Sequence, residues 1–212
     1  MGRLTKQIMP TPFCKICFKP IEVTSFATLL DSHLTVCDSC NSRLRPQFIE
    51  FELEGIHGLA LYDYDHMIKE KLYLFKGCHD YELKDMFLER FRIYLRIRYF
   101  KHIVIPMPSW HEDDQWRGFN HVEAMFSCLK LPMRKIFGKS KPHKQANLSF
   151  SNRHQISAIM ILNDKSSLRG KSILLVDDVV TSGETIKAAL ALLRPLNPKK
   201  INVLVMAKTS LK

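Results

Sequence analysis

The chain lacks long apolar runs. None approaches the ~18 residues of a membrane-spanning helix, and the start, which carries Arg3 and Lys6, holds no apolar stretch of signal-peptide length. Glycine is scarce, at 8 of 212 residues, which excludes a collagen-like repeat. Acid is scarce as well: 21 Asp and Glu face 32 Lys and Arg, for a formal net charge of +11. Against these shortages stand 46% hydrophobic and 25% charged residues, the balance of a folded globular chain rather than a disordered one. A cytoplasmic protein is expected.

The excess charge is unevenly placed. Residues 1–60 carry six basic and six acidic side chains, and residues 61–130 carry eleven of each. Residues 131–172 carry nine basic side chains against one acid, Asp164. Arg134, Lys135, Lys139, Lys141 and Lys144 lead this window, and its Pro, Gly, Ser and Asn content reads mostly as loop. Such a concentration attracts phosphate groups, on small molecules or on nucleic acid; a plain solvated basic loop is the bland alternative.

Four of the six cysteines fall as Cys14-Lys-Ile-Cys17 and Cys37-Asp-Ser-Cys40. Paired Cys-x-x-Cys knuckles match a structural zinc site, because a two-residue gap lets both thiolates reach one ion. Four sulfurs fill the tetrahedron, so no position remains for a catalytic water. Two disulfides are the competing account, disfavoured in a reducing compartment. His33 reads as an ordinary loop histidine, and Cys78 and Cys128 as buried small hydrophobes.

Beyond residue 55 strands and helices alternate. Strands are expected at 58–62, 102–106, 172–176 and 200–206. Helices are expected at 66–75, 81–99, 118–131 and 183–193. This alternation predicts an α/β domain with a mainly parallel sheet, whose ligands sit beyond the carboxyl ends of the strands.

One strand end stands out. Ile173-Leu-Leu-Val176 delivers Asp177 and Asp178, then Thr181-Ser182-Gly183 opens a helix that carries Glu184 and Thr185. Free amides at a helix start, with three hydroxyls, cradle a phosphate. Two carboxylates one loop away can hold vicinal hydroxyls or magnesium. Together they point to a ribose 5-phosphate. A simple helix cap would explain neither the paired acids nor the three hydroxyls.

This segment resembles the phosphoribosyl pyrophosphate (PRPP) motif of the type I phosphoribosyltransferases, in which the acidic pair binds the ribose hydroxyls and the loop binds the 5-phosphate. The other strand end, Pro106-Met-Pro108-Ser109 followed by Arg117-Gly-Phe-Asn120, joins the cysteine knuckles, Tyr62-Asp-Tyr64 to Lys76-Gly77, Gln145 and Arg153 in an order similar to the ComF family, linked to DNA uptake in competent bacteria. The resemblance implies a type I phosphoribosyltransferase fold over residues 51–212, with a zinc module over residues 1–50. It also implies PRPP with Mg²⁺ at the motif, structural Zn²⁺ at the cysteines, and Ser109 and Arg117 at the pyrophosphate. Asp113 and Asp114 between them read as a solvated loop. No general base is evident, so no catalytic residue is assigned.

Two functions are expected from this. The first is a PRPP-binding competence protein that handles single-stranded DNA during uptake and natural transformation. It would track the phosphate backbone with its basic window and stack bases on Trp110, Trp116, Phe119 or Phe137. A competence helicase or DNA-processing protein is the partner such a role implies, and any inner-membrane association would be made through partners, without insertion. The alternative is a salvage or biosynthetic transferase that moves ribose 5-phosphate from PRPP to a nitrogenous acceptor.

Overall fold

A computed structural model describes residues 12–22, 34–140 and 160–209. His33, Lys141, Lys144, Gln145 and Arg153 lie outside the described residues. Helix α1 (Asp38–Leu44) carries the second cysteine knuckle, and strands β1 (Ile49–Leu53) and β2 (Ile56–Asp63) follow as an antiparallel hairpin. The chain continues through α2 (His66–Lys76), two 3₁₀ turns, α3 (Arg92–Arg98) and β3 (His102–Pro106). Next come α4 (His111–Arg117), α5 (His121–Phe126), and the short strands β4 (Phe137–Lys139) and β5 (Met160–Leu162). Strand β6 (Ser172–Val180), α6 (Glu184–Leu193) and β7 (Lys200–Lys208) complete the described elements.

The main sheet has the order β1-β2-β7-β6-β3, parallel throughout except for β1. Its central strands are apolar because both faces are covered. On one face Leu59, Val104, Leu174, Val176 and Leu204 meet α2, α5 and the cysteine knuckles. On the other, Ile105, Ile173, Leu175 and Val203 meet α6 and the β4–β5 pair. Each such side chain removed from water contributes about 1.5–3 kcal/mol. The first cluster runs without a break from Cys14 and Leu44 into Leu61 and Phe87, so the cysteine segment shares the core of the sheet. Tyr62 Oη donates to the main-chain oxygen of Phe87 at 2.9 Å inside that core.

The α/β architecture and mainly parallel sheet agree with the sequence pattern, and three elements differ from it. The segment 81–99 is broken into Tyr81–Asp85, Glu89–Phe91 and α3. Met86, Phe87, Leu88 and Glu89 are all buried, and four successive helix positions span about 300°, wider than one apolar stripe, so the chain turns to sink them. The segment 118–131 holds a helix boundary instead of one helix. Gly118 ends α4 in the left-handed region (φ 83°), and Asn120 caps α5 by accepting from the Glu123 amide at 2.9 Å. Strand β1 lies outside the expected strands, although Glu50, Phe51, Glu52 and Leu53 alternate as a half-buried edge strand should. Cys128 is buried as expected, but Cys78 is exposed.

Candidate functional site

Strands β3 and β6 pair in parallel as far as Pro106 and Val176, where β3 ends; β6 continues beside β7 to Val180, so Asp177 and Asp178 are its own residues and not part of the loop. Leu174 and Val176 face one core cluster, and Asp178 continues their row; Ile173 and Leu175 face the other, and Asp177 continues theirs. The loop after Val180 reaches Gly183, which caps α6 with φ 78° and offers no side-chain bond to the first turn. Glycine is favoured here for two reasons: the backbone is left-handed, and a Cβ would lie 3.0 Å from the Leu53 side chain on β1. The first-turn amides therefore face a cavity of about 290 Å³ lined by Asp177, Thr181, Ser182, Gly183 and Thr185. Glu184 lines neither this cavity nor the next; its carboxylate pairs with Lys187 at 2.8 Å.

A second cavity, of about 470 Å³, shares Asp177, Val179 and Thr185 with the first. Asp178, Ser109, Arg117, His121, Lys76 and Lys139 line it. The acidic pair, the hydroxyl loop, Ser109 and Arg117 thus line two adjoining spaces, although they come from strand ends about 70 residues apart in the chain.

Asp178 is held on several sides. Its Oδ2 meets Lys76 Nζ at 2.6 Å and His121 Nε2 at 3.3 Å, while Oδ1 accepts from the Val179 amide at 2.7 Å. Burial alone would raise this carboxyl, but the His121 contact and the Lys76 charge outweigh it and hold Asp178 well below the usual carboxylate range. Asp177 runs the opposite way. Burial, and then the negative charge of Asp178, push its carboxyl well above that range.

Arg117 organises the surroundings. Its Nε donates to the main-chain oxygen of Lys76 at 2.9 Å, and Nη1 reaches Asp114 Oδ1 at 3.1 Å and His121 Nδ1 at 3.2 Å. Donation to Nδ1 leaves the histidine proton on Nε2, the nitrogen that faces Asp178. Asp114 is not a solvated loop residue: its Oδ2 accepts from Ser109 Oγ and from Asn120 Nδ2, the latter at 2.9 Å. Lys76, Asp114 and His121 carried no assigned role in the sequence reading. Lys76 lies in the Tyr62–Gly77 stretch and His121 directly follows Arg117-Gly-Phe-Asn120, and these positions are the sequence signal for both.

The basic window does not form one open track among the described residues. Arg134 pairs with Asp164 at 2.5 Å and Lys135 with Glu123 at 2.5 Å. Lys139 lies 5.0 Å from the Trp110 ring centroid; burial lowers its ammonium pKa, and Asp177, Asp113, Asp114 and Asp178 oppose that shift. Of the stacking candidates, Trp116 is exposed beside His79, Phe119 packs on Phe75 and Tyr81, and Phe137 is buried.

The four cysteines converge. Their sulfurs all lie within 4.8 Å of one another, and Cys17 Sγ and Cys37 Sγ are 3.8 Å apart. A tetrahedral ion with bonds of about 2.3 Å needs sulfurs about 3.8 Å apart, so the donor set fits zinc. Burial would raise the Cys14 thiol, but amides of Cys37, Cys17 and Ile16 outweigh it and bring it to about 7. The Lys15 amide bonds the Thr35 oxygen at 2.8 Å and ties the two knuckles together, while Arg90 anchors α1 through Asp38 at 2.5 Å.

Residues 117–210 match the phosphoribosyl transferase domain family. The chain is 26% identical over 181 residues to Competence protein ComFC of Bacillus subtilis (strain 168), covering 83% of this chain and 69% of that protein. It is 29% identical over 113 residues to Competence protein F of Haemophilus influenzae, covering 50% of this chain and 49% of that one. Among solved structures, a hypoxanthine phosphoribosyltransferase from Staphylococcus aureus aligns with 57% of this chain and 61% of its own length, at 12% identity and a TM-score of 0.38. No helix among the described residues is long and apolar enough to cross a membrane.

Proposed function

We propose, from the premise that this is a ComFC-like protein of the phosphoribosyltransferase type, that it binds PRPP at Asp177–Thr185 and serves DNA uptake by handling single-stranded DNA. The observation that carries the PRPP reading is the acidic pair in the walls of two adjoining cavities, one of them lined by an uncapped helix start. The 5-phosphate would sit against Thr181, Ser182, Gly183 and Thr185, and the ribose hydroxyls on Asp177 and Asp178. The diphosphate would lie toward Ser109, with Arg117 in the wall behind. Magnesium suits hard carboxylate and phosphate oxygens; when bound it supplies positive charge to the diphosphate. Zinc on Cys14, Cys17, Cys37 and Cys40 would be structural, holding residues 1–50 against the domain formed by residues 51–212.

The DNA part rests on the +11 charge and on the relatives' names. With Arg134, Lys135 and Lys139 locally engaged, Lys141 and Lys144 are the cations of choice for an oligonucleotide. A competence helicase or DNA-processing protein would be the partner in that work. The test is calorimetric titration of PRPP with Mg²⁺, repeated with a single-stranded oligonucleotide bound. PRPP binding that is altered by DNA and lost in the Asp177→Asn/Asp178→Asn double variant is expected; undiminished binding by that variant overturns the site.

A third cavity favours keeping transfer to a nitrogenous acceptor as the second reading. It measures about 560 Å³, has walls of Phe119, Phe137 and Asn163, and shares Ser109 and Lys139 with the second cavity. Pyrophosphate release from PRPP on adding nucleobases or amines would support it.

A further inference from the structure

Arg117 is the cation that the sequence assigns to the leaving group, yet its guanidinium is already committed. Its side chain is 10% exposed and is engaged by Asp114, His121 and the main-chain oxygen of Lys76. Lys76 is placed differently. It is the last residue of α2, its backbone is pinned by Arg117 Nε, and its side chain, 39% exposed, lines the cavity. Its ammonium rests on Asp178 Oδ2, an oxygen that His121 also meets.

That arrangement poses a problem for ligand binding, because a carboxylate oxygen needed by a ribose hydroxyl is occupied by a lysine. Removing the lysine would not strip Asp178 of partners, since His121 Nε2 and the Val179 amide remain. We infer that Lys76 is the diphosphate-binding cation of this site: its ammonium leaves Asp178 when PRPP enters, frees the oxygen for the ribose, and pairs with the diphosphate. Arg117 acts behind it as a positioning residue that fixes the Lys76 backbone and the His121 ring. Two features favour the transfer. A lysine ammonium on a four-carbon stem can swing about a fixed main chain. A diphosphate also carries more negative charge than one carboxylate, and charge-assisted bonds to phosphate oxygens are strong.

The inference rests on the PRPP reading and adds a selectivity to it. Ribose 5-phosphate has no diphosphate, so it must compete with Lys76 for Asp178 and gains nothing from the ammonium. PRPP gains both. The test is titration of PRPP and of ribose 5-phosphate, each with Mg²⁺, into the wild-type chain, Lys76→Met and Lys76→Gln. PRPP affinity is expected to fall about 10- to 100-fold in both variants, the loss of one charge-assisted bond. Ribose 5-phosphate should bind them at least as well as it binds wild type. Either variant suffices if the other does not fold, because the ratio of the two affinities is what is read. Parallel loss of both ligands, or loss of neither, overturns the role of Lys76. A wild-type chain that binds neither ligand overturns the PRPP reading itself, and the inference with it.

Discussion

Asp177 and Asp178 are neighbours in sequence, yet replacing each by asparagine should move stability in opposite directions. Asp177→Asn removes a carboxyl that burial and the charge of Asp178 push well above the usual range. Folding then no longer opposes its ionisation, and a gain of about 0.5–2 kcal/mol is expected. At about 2–4 °C per kcal/mol for a chain of this size, the melting temperature should rise by about 1–8 °C. Asp178→Asn removes the partner of Lys76 and His121. A fully buried pair broken in this way costs about 3–5 kcal/mol. Lys76 is 39% exposed, so water takes over part of its charge; the discounted loss is about 1–3 kcal/mol. The two variants also differ in pH dependence. A raised acid lends stability only below its unfolded value, near 3.9, and loses it as pH rises toward the folded value. The advantage of Asp177→Asn over wild type should therefore vanish below about pH 4 and open above it. The contribution of Asp178 runs the other way, complete above about pH 4 and lost as pH falls through its depressed folded value. Thermal melts from pH 3 to 8, with PRPP titrations at neutral pH, would measure both effects. PRPP binding should fail in Asp177→Asn even as the fold gains stability. A lower melting temperature for Asp177→Asn at neutral pH would refute the destabilising burial of that carboxyl.

Three further outcomes follow from the geometry. Cys14→Ser should reduce zinc from one ion per chain to none and lower the melting temperature, because Cys14 sits in the core shared with the sheet; full zinc content by elemental analysis would contradict the site. Gly183→Ala places a side chain at φ 78° against Leu53. The strain is about 1–2 kcal/mol, read as a melting loss of about 2–8 °C with weakened PRPP binding, and an unchanged melt would show that the loop relaxes freely. Lys139→Ala should weaken PRPP binding and leave the salt slope of oligonucleotide binding unaltered, since Lys139 lines the cavity that Asp113, Asp177 and Asp178 also line; a shallower slope would return Lys139 to the DNA path.

Features carried by contiguous residues were legible. Ile173–Val176 announces a buried strand, and the acids and hydroxyls that follow are fixed by chain connectivity to that strand's carboxyl end. The knuckles were legible for the same reason: two residues between cysteines dictate a shared ion, and the sulfurs converge accordingly. Strand β1 was also legible in its alternation of Glu with Phe and Leu, a period that the acidic composition masked. The break at Met86–Leu88 was not, because helical spacing on either side hides the point where burial of every residue overrides one-sided periodicity.

Contiguous residues carry the chemistry at one strand end, the donor set for a metal, and the alternation that builds a parallel sheet. Which charges act at that strand end depends on how distant elements pack. Packing brought Lys76 from α2 and His121 from α5 onto Asp178, turned Arg117 inward, and set Lys139 over the Trp110 ring in the same cavity. The physical reason is distance along the chain. Local spacing fixes a motif's geometry, whereas an electrostatic partner 102 residues away is chosen by how the helices pack across the sheet.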